Sequence, residues 1–183
     1  MIIYRTYTDD DLNACLMIYD SLAKEGSIPN NNVYRAEFID TLSNNSVLSL
    51  VGEIDSVIVA TASVHYEQEK SLVFYSYGLV HPLFKNKGIG TQLFTVRLSL
   101  IKLQPGIPSY IYLLATDRSK AYYQDKFSFE YHGEDIDEYN NKSIGLKLLI
   151  TNQHIQTAKK YIEETKILKT TNLEIPDKQN DLS

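Results

Sequence analysis

The stretch LVHPLFKNKGIGTQL, residues Leu79–Leu93, carries two glycines one residue apart, with an apolar run on either side. The run before it is rich in aromatic and β-branched residues and predicts a strand, whereas the run after it has the apolar spacing of a helix. The first N–H groups of a helix have no internal partner, and glycine allows an anion to approach them closely. The stretch therefore predicts a strand–loop–helix unit whose loop is either a phosphate cradle or a plain turn.

Two familiar phosphate loops do not fit this stretch. A Walker A loop fails because Lys85 and Lys87 precede the glycines instead of following them. The dinucleotide fingerprint fails because Leu93 stands where a third glycine is needed. A pyrophosphate at the helix N-terminus, with the two lysines adding positive charge, remains as one interpretation. A glycine-rich turn with solvated lysines remains as the other.

Composition indicates one soluble domain of ordinary character. Of the 183 residues, 43% are hydrophobic and 22% are charged, and Cys15 is the single cysteine. Early acidic residues argue against a secretory signal, and no segment approaches membrane-spanning length, so we expect a cytoplasmic protein. A net charge of -5 and a pI near 5.4 argue against a nucleic-acid surface. Four scattered histidines and one cysteine predict no metal site.

Hydrophobic periodicity predicts the element order β-α-α-β-β-β-α-β-α-β-β, an α/β (α+β) arrangement with a mixed sheet. A helix capped by Thr8 and stopped at Gly26 follows the first strand, and Asp55-Ser56 suits a tight antiparallel turn. The predicted strands are Ile2–Tyr7, Val47–Ile54, Val57–Tyr66, Ser71–Val80, Ser109–Thr116, FSFEYHG and SIGLKLLI. The predicted helices are one from Asp9 to the stop at Gly26, Val33–Leu42, a buried helix ended by Pro105 and Gly106, DRSKAYYQDKF, and one from Thr151 to about Leu168.

Residues Val80–Thr91 resemble motif A of the GNAT superfamily of acyl-CoA-dependent N-acyltransferases. That signature is V-x-P followed by R/Q-x-x-G-x-G/A opening a helix, and here Lys85 replaces the Arg or Gln. The element order is similar to the family from about Ile2 to Ile150. The resemblance implies a mostly antiparallel sheet flanked by helices, with splayed central strands. It also implies a GNAT-like domain over residues 1–150, to which residues 151–183 add a C-terminal helix and a flexible tail.

The resemblance implies a binding site for acetyl-CoA, with no metal. The loop would bind the pyrophosphate through Lys85, Asn86, Lys87, Gly88, Ile89, Gly90 and Thr91. The backbone of Leu79 and Val80 would pair with the pantetheine arm, and the Thr116 hydroxyl would also contact that arm. This requires the strand ending at Val80 to splay from the next one, for which Gly78 is either a bulge or a packing glycine.

Transfer of an acyl group from a thioester needs an acid to protonate the leaving thiolate. The stretch AYYQDKFSF is similar to the family pattern F-Y-x-x-x-G-F, which implies that Tyr123 is this acid. The stretch is one residue longer, and Ser128 replaces the glycine. A shifted register would select Tyr122 instead, and packing roles for both tyrosines are a further alternative.

The general base is not identified by the sequence. Many family members place a glutamate on the strand before motif A, where this chain has Phe74. Four other side chains could relay a proton through water, and nothing in the sequence distinguishes Tyr75, Tyr77, Glu53 and Glu67. His65 and His81 are interpreted as structural.

The acceptor also stays open. The acidic loop Glu134–Tyr139 lies where the family borders its acceptor site, so it could attract a cationic amine or be only solvated. The C-terminal helix could cap the groove or form a homodimer. The resemblance implies an N-acetyltransferase that moves the acetyl group of acetyl-CoA to a primary amine of a small molecule or protein by direct attack. A non-catalytic acyl-CoA-binding module and a partner-binding domain are the alternatives.

Overall fold

A computed structural model describes residues 1–67, 71–169 and 173–176 of the chain. It contains a seven-stranded sheet with helices on both faces. In chain order the elements are β1 Ile3–Thr6, α1 Leu12–Lys24, α2 Asn32–Ser43, β2 Leu48–Ile54, β3 Val57–Tyr66, β4 Leu72–Val80, α3 Ile89–Ser99, β5 Ser109–Ala115, α4 Asp117–Phe127, β6 Glu130–Ile136, β7 Lys142–Ile150 and α5 Asn152–Thr165. Among the described residues, no helix combines the length and apolar character needed to cross a membrane.

The sheet order is β1-β2-β3-β4-β5-β7-β6, and every neighbouring pair is antiparallel except β4 and β5. The predicted fold class is therefore confirmed. The tight turn between β2 and β3 is also present, because Asp55 and Ser56 have positive φ of 49° and 65° and Ile54 pairs with Val57. Two residues with positive φ match the right-handed twist of the strands they join.

The helices cover the sheet with two separate apolar cores. The core that includes α3 and α5 contains Leu93, Phe94, Val96, Ile155 and Ala158, packed with strand residues such as Tyr4, Val64 and Val73. The core that includes α1 and α2 contains Cys15, Ile18, Leu22, Phe38 and Leu42, packed with Tyr7, Val51 and Leu79. Residues from β4 belong to both cores: Val73 and Tyr75, within the parallel pair, pack in the first, and Leu79, beyond it, packs in the second.

Helix α3 is shorter than its apolar pattern predicts. We expected it to continue to Pro105, but it ends at Ser99. The N–H of Lys102 donates to Tyr66 Oη at 2.8 Å instead of to a carbonyl one turn earlier. Ile101 nevertheless stays buried, which explains why the periodicity continues past the helix end.

The first helix also begins differently from the prediction. Asp9–Asp11 form one turn of 3-10 helix, and α1 follows from Leu12. Asp11 is buried, and its carboxylate accepts two hydrogen bonds from Arg5, at 2.7 and 2.8 Å, and one from the N–H of Thr8 at 2.9 Å. Arg5 also pairs with Glu53 at 3.1 Å. Asp11 thus forms an ion pair with Arg5 of β1 in which its own carboxylate is buried.

The C-terminal segment is packed against the domain. Thr151 caps α5, and after this helix the N–H of Tyr4 donates to Ile167 O at 2.6 Å, so the chain runs along the edge strand β1. Ile175 is buried in the core that contains α3. The predicted flexible tail otherwise lies outside the described residues at 170–172 and 177–183.

Candidate functional site

A cavity of about 1,200 Å³ opens where β4 and β5 separate. The parallel ladder runs from Leu72–Tyr110 to Tyr75–Leu113 and then stops, although both strands continue. Among the described residues, Ser76–Val80 therefore has β3 as a neighbour and no strand on its other side. The predicted splay is present, and it leaves a row of backbone groups open to a ligand.

Gly78 lies in a β-bulge beside this opening. Ser63 pairs with Ser76 and Thr61 pairs with Leu79, so β4 has one more residue than β3 between these pairs. The positive φ of the bulge, 46°, belongs to Tyr77 and not to the glycine. A Cβ at Gly78 would lie 3.1 Å from Arg97 Nη2. Both alternatives for Gly78 thus hold, because it lies in a bulge and it leaves room for a side chain from α3.

The loop after β4 lines the cavity and contains two residues with positive φ. Pro82–Phe84 form a 3-10 turn, Asn86 and Gly88 have positive φ of 61° and 78°, and α3 begins at Ile89. Alternation of this kind points successive N–H groups at one place, where an anion fits. No side chain caps the start of α3. The predicted residues that line the cavity here are Lys85, Asn86, Gly88, Ile89, Gly90 and Thr91.

The two lysines of the loop occupy different environments. Lys85 lines the cavity, but its Nζ already contacts the carboxylate of Glu25, just after α1, and the hydroxyl of Ser27. Lys87 is not among the lining residues, and its Nζ lies 4.8 Å from the centre of the Phe84 ring. The positive charge expected at the loop is therefore partly neutralised by Glu25.

The two tyrosines at the centre of α4 lie beside different elements of the cavity. Tyr122 reaches the start of α3, where its hydroxyl lies 3.3 Å from Thr91 Oγ1. The Tyr123 hydroxyl lies beside the splay, 3.6 Å from the position that a Cβ at Gly78 would take. Burial raises the pKa of Tyr123, while the neighbouring Arg97 guanidinium lowers it. Of the two tyrosines, Tyr123 is the one whose hydroxyl is among the three atoms nearest to the Gly78 position.

The other elements of the predicted donor site also line the cavity. Leu79 and Val80 form the end of the open strand segment. Thr116 caps α4, where its N–H donates to Ser119 Oγ at 3.0 Å. Its hydroxyl lies 3.3 Å from the same Ser119 oxygen. Ser128 ends α4 with a φ of 60°, so it takes the left-handed position in which the family pattern has glycine.

A histidine next to Phe74 adds to the candidate proton acceptors that the sequence analysis named. Phe74 lines the cavity and stacks on His65, with ring centres 5.4 Å apart. His65 lines the cavity as well, and its Nε2 lies 3.2 Å from Glu67 Oε1. Sequence reasoning interpreted this histidine as structural and missed the pair. The signal available was the spacing of two residues, which puts both side chains on one face of β3 and its extension.

The remaining candidates fall in separate places. Tyr77 lines the cavity, and burial raises its pKa. The Tyr75 hydroxyl is buried without a hydrogen-bond partner among the described residues. Glu53 pairs with Arg5 and is not a lining residue. Among these side chains, Tyr75, Tyr77 and His65 line the cavity, whereas Glu53 and Glu67 do not.

The part of the cavity lined by α1 and α2 is aromatic and acidic. Tyr19 and Tyr34 line it together with Glu37 and Asp40 from α2. Glu134 lies in β6 instead of in the predicted loop and pairs with Lys142 of β7 at 2.9 Å, and Asp137 accepts hydrogen bonds from the N–H groups of Tyr139 and Asn141 at 2.8 Å. Those two carboxylates therefore already have partners, and among the described residues the negative charge that lines the cavity comes from α2.

Comparison with known proteins agrees with this architecture. The sequence model described as the acetyltransferase (GNAT) family matches residues 15–129, well over half of the 183 residues. No curated protein matches the sequence significantly.

Several solved structures share the fold. An acetyltransferase of the GNAT family from Staphylococcus aureus Mu50 superposes with a TM-score of 0.68 at 15% identity, over 82% of this chain and 100% of that one. The ribosomal-protein-S18-alanine N-acetyltransferase from Escherichia coli gives 0.63 at 14% identity, over 82% and 95%. The PaiA N-acetyltransferase from Thermoplasma acidophilum, in complex with coenzyme A, gives 0.58 at 13% identity, over 82% and 99%. At these identities the likeness concerns the fold.

Proposed function

Because the chain belongs to the GNAT family of acetyltransferases, we propose that it transfers an acetyl group from acetyl-CoA to a primary amine by direct attack in a ternary complex. The observation that carries the proposal is the single cavity that joins the anion-binding loop, the open side of β4 and the Tyr123 hydroxyl. A donor with a pyrophosphate at one end and a thioester at the other can span these three features.

The loop supports binding of the donor. Positive φ at Asn86 and Gly88 directs backbone N–H groups to the cavity, and the N-terminus of α3 adds its dipole. The CoA pyrophosphate would bind at residues 85–91. In this proposal Lys87 contributes only long-range charge, because its side chain lies over Phe84 outside the lining.

The splay supports placement of the pantetheine arm. The arm would run along Leu79 and Val80 as an added strand, since that side of β4 has no strand partner among the described residues. Thr116 lines the opposite wall and can contribute its hydroxyl. This path brings the thioester next to the bulge at Gly78, which is also where the Tyr123 hydroxyl lies.

The proposed chemistry follows from this placement. The neutral amine attacks the thioester carbonyl carbon, the new C–N bond forms, and the C–S bond breaks with its electron pair passing to sulfur. Tyr123 donates its phenolic proton to the sulfur, the amine proton passes to solvent, and the phenolate regains a proton from water. The acceptor approaches from the half of the cavity lined by Glu37 and Asp40, whose negative charge favours a cationic amine.

A non-catalytic acyl-CoA-binding module is the second candidate. The observation in its favour is Phe74, which lines the cavity on β4 at the position where many family members have a glutamate as the general base. This candidate keeps the loop and the splay but has no carboxylate on β4 to act as the base. It therefore predicts binding of acetyl-CoA without release of free CoA.

A thiol-release assay with acetyl-CoA and a panel of amines tests the proposal. We expect Tyr123→Phe to lower kcat by about 100-fold without changing the affinity for CoA. Tyr122→Phe is the matched control, because it removes the neighbouring phenol at Thr91 and should keep most of the turnover.

Each other outcome has a distinct meaning. Equal turnover in Tyr123→Phe and the parent protein would refute the acid assignment. Binding of CoA without release from acetyl-CoA across the whole panel would establish the binding module instead. Absence of any CoA-induced rise in Tm would contradict the loop assignment, since ligand at 100 times its Kd should stabilise the protein by about 2.7 kcal/mol.

A further inference from the structure

One arginine lies buried beneath the splay, and the sequence analysis did not identify it. Arg97 is in the last turn of α3 and is 2% exposed. Its Nε donates to Leu93 O at 3.4 Å and its Nη1 donates to Ser63 O at 3.3 Å. Its Cζ lies 4.1 Å from the centre of the Tyr75 ring. These partners are all neutral.

No ion pair between described residues includes Arg97. Burial of a cation without an opposite charge is costly, and burial accordingly lowers the pKa of Arg97. An apolar side chain would fill the same place in the core at lower cost. The position of the guanidinium must therefore be explained by what it faces.

The guanidinium faces the splay and the Tyr123 hydroxyl. A Cβ built on Gly78 would lie 3.1 Å from Arg97 Nη2 and 3.6 Å from Tyr123 Oη, so both groups converge on the space that this glycine leaves empty. Arg97, Tyr123 and Gly78 all line the large cavity. The convergence occurs at the bulge, where β4 has already separated from β5.

Arg97 supplies the positive charge at the point where it converges with the Tyr123 hydroxyl. The titratable groups that face Arg97 or Tyr123 are Tyr4 of β1, Tyr75 of β4 and Tyr122 of α4, all phenols whose pKa is raised by burial. No carboxylate of the described residues contributes to the pKa of Tyr123 or of Arg97.

We propose that Arg97 is a positioning residue for the acetyl transfer, whose guanidinium holds the Tyr123 hydroxyl at the splay and stabilises the phenolate formed there. The inference rests on the proposed function. When the C–S bond breaks, the thiolate takes the Tyr123 proton and the negative charge moves to the phenol oxygen. The positive charge of Arg97 stabilises this negative charge within the buried site, which makes the phenol a stronger acid.

The first experiment does not depend on activity. The protein with 3-fluorotyrosine in place of Tyr123 is titrated by 19F NMR, in the parent background and in Arg97→Met and Arg97→Lys. Methionine fills similar space without charge, whereas lysine keeps the charge. We expect the ionisation midpoint to rise by about 1 pH unit or more in Arg97→Met and to stay closer to the parent value in Arg97→Lys.

The second experiment measures kcat and KM by CoA release. We expect Arg97→Met to lower kcat by about 10- to 100-fold with little change in KM for acetyl-CoA. In the Tyr123→Phe background the same substitution should have almost no further effect, because Arg97 acts through that hydroxyl. Multiplied losses in the double variant would overturn the proposal.

Folding and activity controls keep the proposal falsifiable. An unchanged 19F midpoint in folded Arg97→Met overturns it, and failure of both Arg97→Met and Arg97→Gln to fold would assign the arginine a structural role instead. If the parent protein releases no CoA with any amine, the proposed function fails while the 19F titration still decides whether Arg97 tunes Tyr123. The two failures are thus distinguishable.

Discussion

Replacing Gly52 with alanine should destabilise the protein through overpacking against two buried side chains. Gly52 lies in β2, and its Cβ would be 2.9 Å from Tyr4 Cε1 and 3.0 Å from Ile2 Cδ1. Ordinary contacts between carbon atoms are about 3.5–4.0 Å long, so neighbouring groups would have to move by at least half an ångström. The backbone itself is no obstacle, because Gly52 does not have positive φ.

The surroundings of Tyr4 leave little room for this movement. Its side chain is fully buried, and its hydroxyl donates to Ile89 O at 3.1 Å at the first residue of α3. Overpacking of a core costs about 1–3 kcal/mol. At about 2–4 °C per kcal/mol for a chain of this size, Tm should fall by about 2–12 °C.

Thermal and urea unfolding measure the effect, and Ile2→Val provides the internal control. Valine lacks Cδ1 and therefore removes one of the two clashes, at an expected cost of about 0.5–1.5 kcal/mol by itself. The double variant should lose less stability than the sum of the single variants. An unchanged Tm in Gly52→Ala, or strictly additive losses in the double variant, would refute the packing argument.

Two further predictions concern charges. Arg5 holds the pKa of Asp11 below its usual value, so Asp11→Asn should lower the free energy of unfolding by about 1.5–3 kcal/mol near neutral pH. This difference in stability should be constant above about pH 5 and shrink below about pH 4, because the Asp11 carboxylate stabilises the fold only while it is ionised. Urea unfolding at a series of pH values measures it, and a difference that does not shrink at low pH would contradict the prediction. Glu25→Gln should raise affinity for CoA by about two- to fivefold at low salt, since it frees Lys85 and removes a negative charge beside the loop. Calorimetry measures the affinity for CoA. Asp20→Asn is the control, because it removes the same charge from a different ion pair, that with Arg35; equal affinities of the two variants would contradict the prediction.

The local pattern of the sequence determined the helices and strands and the loop between β4 and α3. Alternation and apolar spacing predicted the order of strands and helices, because each element must bury one face. The tight turn at Asp55-Ser56 and the strand–loop–helix unit around Gly88 depend on residues adjacent in the chain, so they too could be recognised. The pairing of β4 with β5 and their separation followed only from the family resemblance.

Contacts between distant residues were decided by the tertiary structure alone. The end of α3 depends on Tyr66, the pair of Lys85 depends on Glu25, and Asp11 is buried because Arg5 on β1 lies above it. In the stretch LFTVRLSL, an arginine within a buried apolar stripe was a visible irregularity, but its meaning depends on Gly78 and Tyr123. Periodicity records which face of an element is buried. It does not record which polar groups of other elements meet there, and that meeting determines the chemistry of the site.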